Sequence, residues 1–136
     1  MSKKILCIIT TFILCTNIAF ANPKDNVKDI ETISNSLNTV FLAVLQGKDV
    51  ESLEKDTKFI QSELNRVRSE VLRDLKKFEG KDKSIYYSLL SVLNYYQISI
   101  LELQDYHQDN NHQLLISAIS SLNHGDLMLD VIISKI

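Results

Sequence analysis

The chain has 136 residues, a formal net charge of −2, 45% hydrophobic and 24% charged residues, and only three Gly, one Pro and no Trp. That length suits one small domain. So few turn-forming residues exclude a fold made of many short strands, and the mildly acidic balance excludes a protein that tracks a nucleic-acid backbone.

Residues 1–21 read as a cleavable secretory signal. Lys3 and Lys4 form a basic start, and Ile5 to Ile18 is an apolar run broken by Thr10, Thr11, Thr16 and Asn17. Ala19-Phe20-Ala21 then supplies the small residues that a signal peptidase requires. The run is shorter than the ~20 apolar residues of a membrane span. Leu14 before Cys15 is too large for a lipid-attachment site. Cleavage would remove both cysteines, Cys7 and Cys15, and so exclude disulfides, thiolate nucleophiles and Cys-bound metals from the mature protein. It would also remove Lys3 and Lys4, leaving 13 basic residues against 17 acidic and a net charge of −4. The expectation is an exported protein, periplasmic or extracellular, with no membrane association after cleavage.

Four helices are predicted over residues 22–136. The first runs from about Asp25, as N-cap, to Gln46, with Val27, Ile30, Ile33, Leu37, Val40, Phe41 and Val44 at three- and four-residue spacing and Gly47 as stop. The second runs from about Val50 to Phe78 behind a cap at Asp49. Its stripe is Leu53, Ile60, Leu64, Val67, Val71, Leu75 and Phe78, with Thr57 filling one gap and Gly80 ending it. The third runs from about Ser84 to Tyr106 on Ile85, Leu89, Val92, Tyr96, Ile100 and Leu103. A polar linker, His107 to Asn111, leads to the fourth, about His112 to Ser134, on Leu115, Ala118, Ile119, Leu122, Leu129 and Ile132. Gly125 interrupts the fourth helix and predicts a close crossing. Short connections make neighbours antiparallel, so the fold expected is an all-α, up-down-up-down four-helix bundle.

Charge divides the chain. Residues 48–83 hold ten basic and nine acidic residues, whereas residues 84–136 hold one basic residue, Lys135, and five acidic ones. The third helix carries a second apolar set, Tyr87, Leu90, Ile98 and Leu101, and the fourth adds Ile116, Leu127 and Val131. A helix apolar on more than one side is central or is covered by something else. In a four-helix bundle no helix is expected to be central, so these seven residues are predicted to bind an unknown protein partner or a second copy of the chain. All five tyrosines, Tyr86, Tyr87, Tyr95, Tyr96 and Tyr106, fall on the third helix, in keeping with an interface.

Catalytic signatures do not emerge. The chain lacks Gly-x-Ser-x-Gly, a P-loop and a Gly-rich dinucleotide turn. No Glu has His three residues on, as di-iron bundles require, and Cys-x-x-Cys-His is missing. His107, Asp109 and His112 form the one candidate metal loop, at a spacing that matches no standard site. The reading is therefore a non-enzymatic helical bundle without a cofactor, acting by protein contact as an adaptor, chaperone-like protein or inhibitor. The alternative is a small-ligand or metal carrier using the bundle interior or the His107–His112 loop.

Overall fold

A computed structural model describes residues 22–136, with Lys81 and Asp82 described by backbone alone; the expected signal segment lies outside the described residues. Four α-helices make up this part: α1 (Pro23–Leu45), α2 (Glu54–Leu75), α3 (Gly80–Asp109) and α4 (His112–Ile133), with a short 3₁₀ turn at Glu51–Leu53. Each packs on its sequence neighbour and α4 closes back onto α1, which gives the expected four-helix bundle.

The helix starts follow local hydrogen-bond chemistry. Asn22, rather than Asp25, caps α1: its Oδ1 accepts from Lys24 N at 3.1 Å, and Pro23 occupies the first turn, where no N–H is needed. Asp49 Oδ1 accepts from Glu51 N at 3.2 Å, so it caps the 3₁₀ turn that leads into α2. At the other end of α1, Gly47 takes φ +88°, and its N–H and that of Lys48 bond back to Val44 O at 2.9 Å and Ala43 O at 3.0 Å. These are the two bonds of a Schellman stop, which a side chain at Gly47 would strain.

Several helix ends differ from expectation. α2 ends at Leu75 instead of Phe78, because Phe78 leaves the helix to stack on Tyr86, ring centroids 5.0 Å apart. α3 then starts at Gly80 and runs three residues beyond Tyr106, to Asp109. Asn110 adopts left-handed φ +50°, donating its N–H to Tyr106 O at 2.8 Å, and Asn111 Oδ1 caps α4 through Gln113 N at 3.0 Å. The α3–α4 connection is thus only Asn110 and Asn111, a tight αα-hairpin.

Every apolar residue in the predicted stripe of α1 is buried, as are those of α2 apart from the partly exposed Phe78. α3 buries more than its predicted stripe, because Tyr86, Leu93 and Ser99 are also fully enclosed. The reason is topological: α3 touches α1 across the bundle as well as α2 and α4 on either side. α3 is not central, since Tyr87, Ile98 and Leu101 on its outer side stay exposed, but it buries a wider angle than its stripe. Part of its surplus of apolar residues is absorbed by the protein's own core.

Candidate functional site

α3 and α4 form the most extensive helix pair, and Gly125 explains how they approach so closely. A Cβ built on Gly125 would stand 2.7 Å from Tyr96 Cδ1, nearer still to Tyr96 Cε1, and 3.3 Å from Tyr95 Cβ. The tyrosine ring fills the space that any side chain would need. Tyr96 is wholly buried, yet its hydroxyl donates to Asp126 Oδ1 at 2.6 Å. Burial first, and the bond to Asp126 second, push the Tyr96 pKa well above the ordinary phenol range.

Asp126 ties three helices together through neutral donors. Ser34 Oγ donates to Oδ1 at 2.6 Å and Asn38 Nδ2 to Oδ2 at 3.2 Å, both from α1. Further along the hairpin, Ser117 and Ser121 of α4 donate to Glu102 of α3, Ser121 at 2.9 Å. Tyr95 stacks on His124 with centroids 5.7 Å apart. Apart from the exposed Asn38 and His124, the residues of these contacts lie between the helices. They secure the hairpin without using its outer side.

That outer side is apolar and almost uncharged. Tyr87, Ile98, Leu101, Ile116, Leu127 and Val131 are all exposed, Leu127 the most at 65%. Leu90 is not: it is partly buried against the core, because α3 also packs across the bundle. On α4 the exposed positions Ile116, Ser120, Asn123, Leu127 and Val131 follow steps of four, three, four and four, one stripe along the helix. α3 has a similar stripe in Tyr87, Asn94, Ile98 and Leu101, all exposed, with the half-buried Ser91 between the first two. There, however, Arg68 of α2 reaches over and donates to Asn94 Oδ1 at 3.3 Å.

Two residues that sequence reasoning passed over extend this face. Leu42 and Leu45, near the end of α1, are 56% and 62% exposed. The antiparallel register fixed by Ser34 and Asn38 against Asp126 sets the end of α1 beside the start of α4, where Ile116 lies. The signal in the sequence is the absence of any charged residue from Thr32 to Gly47.

The histidine loop is not assembled as a site. His107 Nδ1 lies 3.7 Å from Asp49 across the bundle end, whereas His112 packs against the Tyr106 ring. Asp109 and His107 belong to the last turn of α3 rather than to a linker. Among the described residues no three His, Cys, Asp or Glu side chains converge as a metal would require. A groove of about 530 Å³ between α1 and α4 is lined by polar residues including Lys28, Asn35, Asn38, Asp126 and Asp130. Among the described residues no helix is long and apolar enough to cross a membrane.

The chain matches no known protein family, no curated protein and no solved structure.

Proposed function

We propose that this is an exported, non-enzymatic bundle that works by protein–protein contact through the outer face centred on α4. The observation that carries the reading is the exposed stripe Ile116–Leu127–Val131, with Ile98 and Leu101 also exposed on α3 and Leu42 and Leu45 on α1. Single exposed apolar residues are ordinary on any surface, but a contiguous set on neighbouring helices signals association. Phe59 and Leu72 on α2 are exposed too. Each is surrounded in sequence by Lys, Arg, Glu and Asp, which keep that side wet.

Contact rather than chemistry is also supported by the polar groups. Glu102 accepts from Ser117 and Ser121, and Asp126 from Tyr96, Ser34 and Asn38, so both carboxylates fasten helices to each other. Export is supported by the basic start, the apolar run and the Ala19-Phe20-Ala21 cleavage pattern.

Photocrosslinking in living cells tests the reading. A photoreactive residue at position 127 or 98 should give protein adducts, whereas one at position 59 should not. Equal labelling from all three positions, or none from 127 and 98, would sink it.

A further inference from the structure

The α4 stripe is close to symmetric about its own middle. Ile116 and Val131 lie near its ends, Ser120 and Leu127 nearer the middle, and Asn123 and His124 at the centre. Resting on the contact reading above, we propose that the occupant of this face is a second copy of the chain, with α4 packed antiparallel to α4 of the partner subunit across a two-fold axis at Asn123 and His124.

Several features favour a self-complementary pairing. An antiparallel match about that centre sets Ile116 against Val131 of the partner subunit and Ser120 against Leu127 of the partner subunit. Small then meets large and apolar meets apolar, with each contact occurring twice as an isologous interface requires. Asn123 is exposed, and its side chain makes no hydrogen bond among the described residues. Its amide both donates and accepts, so two copies near the axis can bond to each other, and a seam asparagine fixes register in paired helices. Charge does not oppose the match. Among α4 positions pointing outward, Asp130 is the one acidic residue, and it lies away from the centre. Antiparallel helices also set their dipoles in opposition, which a parallel pair would not.

Area decides how much of the face must take part. The exposed apolar side chains of α4 alone present about 300 Å², short of the ~800 Å² per partner that a stable association buries. Including Ile98 of α3, Leu42 and Leu45 of α1 and the intervening Ser, Asn and Gln side chains brings the face to on the order of 800 Å². The dimer therefore needs the flanks as well as the seam. A substitution on either flank should weaken it less than one at Leu127.

Sedimentation of the protein expressed as the full chain tests this, from micromolar to submillimolar concentration. The expected result is a monomer–dimer equilibrium that Leu127→Asp shifts to monomer. Symmetry places that change in the interface twice, so dissociation should strengthen on the order of 100-fold. Leu127 is largely exposed, so helicity by circular dichroism should not change. With Cys7 and Cys15 replaced by Ser, Asn123→Cys should be joined to its copy by a short bismaleimide, and Ser69→Cys on α2 should not. A strict monomer at every concentration overturns the proposal, and so does a dimer that survives both Leu127→Asp and Ile116→Asp. Adducts with a different protein from position 127 in cells, alongside a monomer in solution, would sink the self-pairing and leave the contact reading standing.

Discussion

Arg66 on α2 binds Asp29 of α1 at 3.0 Å and pairs with Glu63 and Glu70 along its own helix, an exposed network in which each carboxylate faces a cation. The α3–α4 hairpin fastens its helices differently. Glu102 and Asp126 receive Ser and Tyr hydroxyls instead of cations, and the two backbones close up where Gly125 meets the Tyr96 ring. The first arrangement tolerates motion and water. The second depends on shape and on part-buried hydrogen bonds, and leaves an outer surface with few charges, Arg68 over Asn94 and the exposed Asp130 among them. The two hairpins of one bundle are thus fastened differently: α1–α2 by exposed ion pairs, α3–α4 by close packing and neutral hydrogen bonds.

The contrast can be broken most severely at Gly125. In an exposed helix, replacing Gly favours folding by about 1 kcal/mol. Here Gly125→Val should destabilise by about 3 kcal/mol, because the added atoms meet the Tyr96 ring with no room to shift. Urea unfolding reads the sign directly. Asp126→Ala should cost about 2 kcal/mol by the same assay, since it strands the buried Tyr96 hydroxyl. On the charged half, Arg66→Ala should cost about 1 kcal/mol or less, and less again in high salt, because its ion pairs are half exposed.

The smallest effect expected is one of pH. Asp74 is buried at the end of α2, which by itself raises its pKa. Hydrogen bonds from Lys77 at 2.9 Å and Asn26 at 3.4 Å, with the charges of Lys77 and Arg73, outweigh burial and hold it below the usual carboxylate range. A lowered folded pKa means this stabilisation is present above the unfolded carboxyl pKa of about 3.9 and is lost as pH falls below it. Asp74→Asn should therefore flatten the acid limb of a stability–pH profile while leaving Tyr96, whose raised pKa matters only above about pH 10, unaffected.

The helices were legible because their core stripes repeat at helical spacing, and Val27 through Val44 on α1 are all buried as that spacing predicts. The ends were less so. Phe78 leaves its helix for a ring stack with Tyr86, a tertiary contact that no local pattern announces. Gly125 was legible as a close crossing, but its partner Tyr96 was not, since sequence spacing does not say which ring faces which backbone. Leu90 read as a surplus apolar residue, and Leu93 was passed over, for the same reason: whether α3 also reaches α1 depends on how four helices close, not on α3 alone. Leu42 and Leu45 were passed over because they lie one step off a strong stripe. The uncharged run around them carried the information.

Amide resonances followed by nuclear magnetic resonance while the protein is diluted give the most direct test of α4 as a contact face. The account predicts that dilution shifts Ile116, Asn123, Leu127 and Val131 together, Ile98 and Leu45 by less, and leaves Phe59 and Leu72 on α2 where they were. Shifts centred on α2, or a spectrum unchanged at every concentration, would contradict it.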